Sequence, residues 1–151
     1  MIRRYKPEDL QSIINLFKDT VHHVNNKDYT SEQIAVWAPT KIDEQSWQIS
    51  LLKHYTVVVE QYGQIVGFAD LQDDYIDRLY VHKDWQRQKI ATQLLTHLEQ
   101  YAKAHNQQKL TAHVSITAKP FFLKQGFQVI CQQQIVRNNI TLINYKMKKY
   151  L

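Results

Sequence analysis

The chain has one cysteine, three glycines, three prolines and two methionines in 151 residues. A lone cysteine, Cys131, excludes an internal disulfide and suits a reducing compartment. So few glycines leave no flexible linker, and neither a repeat nor a low-complexity tract is present. No apolar run approaches the roughly 20 residues that cross a bilayer, and the opening MIRRYKPEDL lacks the apolar region of a secretory signal. A soluble cytoplasmic protein with no membrane partner is expected. Seven histidines include no HxxxH pair and no His/Cys cluster, so no metal is expected. Lys and Arg outnumber Asp and Glu by 19 to 14. These cations are scattered and no nucleic-acid motif accompanies them, so the balance suits a polyanionic small ligand and excludes a nucleic-acid partner.

What is present is a mixed α/β pattern. The length suits a single domain over 1–151, and 44% hydrophobic with 22% charged residues is ordinary for a globular chain. Ile2 to Tyr5 reads as a short strand. Pro7, Glu8 and Asp9 then start a helix with the apolar stripe Leu10, Ile13, Ile14, Phe17 and Val21. Thr30 and Gln33 have capping-box spacing before Ile34, Val36 and Trp37, and Pro39 ends that second helix. Asp43 caps a third. The period then changes to two: TVVVE and IVGFADL flank a turn containing Gly63, which makes a hairpin.

Tyr75 to Ala102 organises the rest. A strand, Tyr75 to Val81, passes through the polar loop His82 to Lys89 into a helix with apolar residues at Ile90, Ala91, Leu94, Leu95, Leu98, Tyr101 and Ala102. Strand feeding helix start presents unpaired N–H groups at the positive end of the helix dipole, which suits an anion. Lys83, Arg87 and Lys89 crowd that end, where an anion would relieve the conflict between like charges. A strand from Leu110 to Ser115 follows, making a right-handed parallel βαβ unit. A helix from Ala118 to Gln125 and a hairpin, Phe127 to Val136 with Ile140 to Met147, complete the chain. The exposed edge of that hairpin offers a route to a homodimer.

The strand end Leu79, Tyr80, Val81 followed by Gln86, Arg87, Gln88, Lys89, Ile90 and Ala91 resembles the acetyl-CoA-binding motif of the GNAT superfamily of N-acetyltransferases. Lys89 and Arg87 stand where that family often has glycine. A second block, SITAKPFFLKQGF from Ser115 to Phe127, is similar to the family's late signature, with Ala118, Gly126 and Phe127 in place, Ser115 for the usual asparagine and Phe122 for the usual tyrosine. The resemblance covers nearly the whole chain. It implies a GNAT-like fold: a central mixed, mostly antiparallel sheet of about six to seven strands, a parallel βαβ unit at the cofactor cleft, and about four flanking helices.

It also implies acetyl-CoA as co-substrate and direct transfer to a primary amine of a small-molecule or peptide acceptor. Cofactor contacts are then expected from Leu79, Tyr80 and Val81 through their backbone, from Gln86, Arg87, Gln88, Lys89, Ile90, Ala91 and Thr92 around the pyrophosphate, and from Ser115 and Phe122. A lysine-like amine with pKa ~10.4 is neutral only about once in a few thousand molecules at pH 7, so a base is useful. Asp77, an acid in an apolar strand, is the expected catalytic residue. Strict alternation would put it on one face with Tyr75, Leu79 and Val81. Tyr29, Trp37 and Tyr75 are the expected acceptor-binding residues. The alternative is a catalytically weak acyl-CoA-binding or regulatory module of the same fold.

Overall fold

A computed structural model describes residues 1–151. Seven strands form one sheet in the order β1-β2-β3-β4-β5-β7-β6. They are β1 (Ile2–Arg4), β2 (Tyr55–Gln61), β3 (Gln64–Gln72), β4 (Tyr75–Val81), β5 (Lys109–Ser115), β6 (Gln128–Arg137) and β7 (Ile140–Tyr150). Five helices accompany them: α1 (Leu10–His23), α2 (Ser31–Trp37), α3 (Glu44–Lys53), α4 (Ile90–Ala104) and α5 (Lys119–Lys124). Every strand pair is antiparallel except β4 with β5.

Local chemistry sets the boundaries. The Thr30 side chain accepts from the Gln33 N–H at 3.1 Å while the Gln33 amide accepts from the Thr30 N–H at 2.8 Å, which closes the capping box at α2. Asp43 accepts from the Ser46 N–H at 3.1 Å and caps α3. The β2–β3 turn has Tyr62 and Gly63 at φ 51° and 75°, and the β6–β7 turn has Asn138 and Asn139 at 48° and 64°. Both are two-residue loops with left-handed backbone, whose twist matches that of hairpin strands.

The sheet separates two apolar layers. On one face α4 sends Ile90, Leu94, Leu95, Leu98 and Ala102 onto Val57, Val59, Val66, Ala69 and Leu71. The helix lies so close that a Cβ on Gly67 would sit 2.8 Å from Ile90 Cγ2, so this glycine is required by packing. On the other face Ile13, Leu16, Phe17 and Val21 of α1 pack with Ile34 and Leu51 against Val58 and Phe68. No helix is long and apolar enough to cross a membrane.

Two irregularities in the middle of the sheet shape the site. β4 and β5 pair only at Tyr75 with Thr111 and Ile76 with Ala112, so beyond Ile76 the parallel neighbours diverge. In addition, Asp70 pairs with Arg78 while Leu71 pairs with Ile76, which leaves Asp77 as an extra residue in β4. That is a β-bulge.

Candidate active site

The bulge overturns the alternation expected for β4. Ile76, Leu79 and Val81 belong to the α4 layer, whereas Tyr75, Asp77, Arg78 and Tyr80 all line a cavity on the opposite face. One extra residue shifts the pleat by one, so Asp77 does not share a face with Leu79 and Val81. It shares one with Arg78 instead.

Around Asp77 the chain builds a charged network that links β3, β4 and α3. Arg78 donates to Asp70 Oδ2 at 3.0 Å and lies 3.2 Å from Asp77 Oδ2. A second guanidinium nitrogen of Arg78 donates to Ser50 of α3, and the group stacks 4.6 Å over the Trp47 ring. His54 Nδ1 meets Asp70 Oδ2 at 2.8 Å and lies 3.9 Å from Asp77 Oδ2. Asp70 is fully buried, and its Oδ1 has no partner. Burial pushes its carboxyl above the ordinary value, with the His54 hydrogen bond and the Arg78 charge working the other way. His54, Asp70 and Asp77 bring potential ligand atoms within 4.8 Å of one another. The compensating positive charge among these carboxylates is the Arg78 guanidinium. Neither Arg78 nor the His54–Asp70 pair was singled out by sequence, because 16 residues separate His54 from Asp70 and only strand pairing joins them.

The wall on this side encloses a cavity of about 500 Å³. Tyr29, Trp37 and Tyr75, the three expected acceptor-binding residues, all line it, as do Asp77, Trp47, His113 and Ser115. Tyr29 is also structural: its hydroxyl donates to the Ile143 carbonyl at 2.7 Å and accepts from the Ile116 N–H at 2.9 Å. Its ring meets Trp37 edge-on at 5.1 Å. Burial raises the Tyr75 phenol above its ordinary value, reinforced by Asp77 and Asp70, so it stays protonated at neutral pH. His113 packs edge-on to Tyr75 at 5.2 Å. Burial and the Lys146 charge lower its imidazole against a weaker pull from Asp77, so at pH 7 it is predominantly neutral. His113 is an ionisable group in this wall that sequence reasoning passed over; its only signal was an imidazole in the apolar strand LTAHV.

Toward the diverging strands, backbone is what remains available. His82 N–H donates to the Val66 carbonyl at 2.8 Å, which fixes the alternation along β4. Tyr80 therefore turns its N–H toward β3, while Leu79 and Val81 turn theirs into the gap where β5 offers no partner. The Tyr80 side chain is locked among Phe17 at 5.0 Å and Phe68 at 5.8 Å, and burial holds its phenol well above the ordinary value. The Val81 carbonyl accepts from Thr20 Oγ1 at 2.9 Å and from the Gln86 amide at 2.7 Å. Gln86 thus braces the loop with its side chain.

The loop itself holds two non-glycine residues in left-handed backbone. Non-glycine residues at Arg87 and Lys89 suit a phosphate loop most easily in helical or extended backbone, yet both are left-handed, with φ 61° and 63°. The local structure follows the shape that glycine would adopt, and the side chains accept the strain. Lys89 forms the N-cap of α4, with φ 63° and ψ 17°, and makes no capping bond. The backbone N–H groups from Gln86 to Thr92, including those of Gln88, Ile90 and Ala91, donate to no carbonyl; the first bond of the helix is Gln93 N–H to the Lys89 carbonyl at 3.0 Å. Seven consecutive free donors, a helix dipole and two exposed cations converge there.

Ser115 accepts from the Ala118 N–H at 3.0 Å and so caps the turn into α5. Phe122 is buried, edge-on to Phe121 at 5.4 Å and Phe127 at 5.0 Å. It contributes apolar packing to the α4 layer and has no proton to give.

Comparison with known proteins agrees with this architecture. A family model described as an acetyltransferase (GNAT) domain matches residues 25–149. The chain is 35% identical over 147 residues to the uncharacterized N-acetyltransferase YafP of Escherichia coli (strain K12), covering 97% of this chain and 93% of that one. It is similar to the crystal structure of a GCN5-related N-acetyltransferase from Rhodopseudomonas palustris, with TM-score 0.96, 33% identity and coverage of 100% and 95%. It shares its fold with PaiA N-acetyltransferase from Thermoplasma acidophilum in complex with coenzyme A, with TM-score 0.81, 18% identity and coverage of 100% and 98%. On the family match and the relatives above 30% identity, the chain belongs to the GNAT acetyltransferase family.

Proposed function

We propose that the chain moves the acetyl group of acetyl-CoA to a primary amine in a ternary complex. The observation that carries this is a single one: β4, whose pairing with β5 ends at Ile76, holds Asp77 in the cavity wall and leads into the loop whose N–H groups at residues 86–92 are free. A fold neighbour crystallised with coenzyme A supports acetyl-CoA as the donor.

The free donors at 86–92, with Arg87 and Lys89, take the pyrophosphate of the cofactor. The N–H groups of Leu79 and Val81 hold the pantetheine arm, and one of them polarises the thioester carbonyl. Asp77 takes the proton from the acceptor ammonium, directly or through water. The neutral nitrogen attacks the carbonyl carbon, the C–S bond breaks, the thiolate leaves, and the nitrogen gives its second proton to the thiolate or to water. Thiolate is a tolerable leaving group, with a thiol pKa of about 8.5, so the absence of a hydroxyl at Phe122 does not block the step. Tyr29, Trp37 and Tyr75 shape the acceptor pocket. We place this activity in the cytoplasm, in keeping with the unpaired Cys131. The uncharged edge from Gln128 to Val136 in β6 supports a homodimer through that strand.

Thiol release from acetyl-CoA across a panel of primary amines tests the reading. The Asp77→Asn variant should lose about 100-fold or more in turnover while binding acetyl-CoA within about twofold of the parent. Tight binding of acetyl-CoA without thiol release by any amine would assign the chain to acyl-CoA binding or regulation instead.

A further inference from the structure

The acceptor cavity has a polarity of its own, which bears on the acceptor through the proposed transfer to an amine and rests on that reading. Three cations and two carboxylates line it: Lys41, Arg78 and Arg137 against Asp43 and Asp77. Asp43 is occupied as the cap of α3 and Arg78 is held by Asp70 and Asp77. Lys41 and Arg137 are different. Both are exposed, and neither has a carboxylate within ion-pair distance or a hydrogen-bond partner on the protein.

Of these two free cations, Arg137 lies far from Asp77. The register puts His113 opposite Lys146 and Arg137 opposite Ile140, six residues apart along β7. That is about 20 Å of strand, part of which the side chains themselves span. Asp77 follows Ile76, which pairs with Ala112, so it stands at the His113 level. Between the two ends the wall is apolar, with Trp37, Ile135, Leu142 and Ile143. Asn144 lies along the same wall with a buried Oδ1 that has no partner, an acceptor for an N–H of the occupant.

We propose that the acceptor is an elongated amphoteric amine: a primary amine at the Asp77 end, an apolar body about 10 Å long, and a carboxylate at the Arg137 end. The guanidinium fork of Arg137 matches a carboxylate. The same cation rejects polyamines, whose second ammonium would meet Arg137.

The test measures binding of 8-aminooctanoate, octylamine and 1,8-diaminooctane to the protein by calorimetry, with and without CoA, and thiol release from acetyl-CoA in parallel. The amino acid should bind at least about fivefold more tightly than octylamine and the diamine most weakly. 4-Aminobutanoate, too short to reach both ends, should bind more weakly than 8-aminooctanoate. The Arg137→Gln variant should erase the preference, and since that side chain is exposed and unpartnered it should fold. Equal or tighter binding of octylamine or the diamine overturns the proposal, as does a preference that survives in the variant, or no binding of any of the three. A preference in binding without thiol release would uphold the acceptor class and sink acetyl transfer. Thiol release favouring the plain amine would do the reverse.

Discussion

The strained loop before α4 makes opposite predictions for stability and for cofactor affinity. At Lys89, with φ 63° and ψ 17°, a side chain occupies left-handed backbone where glycine would sit freely. That conformation costs a non-glycine residue about 1–2 kcal/mol. Glycine adds back about 0.5–1 kcal/mol through the greater freedom of the unfolded chain. Lys89→Gly should therefore stabilise the fold by about 0.5–1 kcal/mol, raising Tm by about 1–4 °C for a chain of this size. The same change deletes a cation at the proposed pyrophosphate site. An exposed charge contact is worth about 1 kcal/mol, so acetyl-CoA should bind about fivefold more weakly. Lys89→Ala separates the two effects: it keeps the strain and loses the charge, so Tm should stay within about 2 °C while affinity falls equally. Thermal melts and calorimetric titration with acetyl-CoA read both quantities. A lower Tm for Lys89→Gly would refute the strain reasoning, and unchanged affinity in both variants would remove the phosphate from this loop.

Other parts of the fold carry three further expected outcomes. Gly67→Ala should destabilise by about 1–3 kcal/mol in urea unfolding, because the new Cβ meets Ile90 Cγ2 at 2.8 Å and Leu94 Cδ1 at 3.2 Å; a gain in stability, the usual result where glycine is unneeded, would show that α4 can yield. Asp70→Ala should cost about 3 kcal/mol, since His54 and Arg78 lose a partner in a fully buried position, and a change under about 1 kcal/mol would mean the network does not hold α3 to the sheet. Arg3 grips both oxygens of Asp9 at 2.8 and 3.0 Å and the Lys6 N–H adds a bond at 2.8 Å. Burial works to raise the Asp9 carboxyl, but these contacts together hold it below its ordinary value. The stabilisation is therefore present above the ordinary carboxyl range and lost as pH falls through the depressed value. Asp9→Asn should lower Tm at pH 7 and make little difference near pH 2, and an equal deficit at both would contradict this assignment.

Sequence by itself determined what depends on neighbours along the chain. The capping box at Thr30, the Asp43 cap, the turns at Gly63 and Asn138–Asn139, and the amphipathic period of α4 are all local, and each stands where the pattern puts it. The order of these elements, read with the blocks at Leu79–Ala91 and Ser115–Phe127, also carried the family. Tertiary structure decided the rest. The bulge at Asp77 exists only in the register between β3 and β4, so period-two reading of β4 put Leu79 on the wrong face. The left-handed backbone at Arg87 and Lys89 runs against the preference of those side chains. Arg78, His54 and Asp70 form a network because pairing brings them together, and no spacing announces it. Local free energies favour caps, turns and periods within a few residues, whereas register and buried charge are settled by contacts that close long loops, and one chain read in order contains no record of which loops will close.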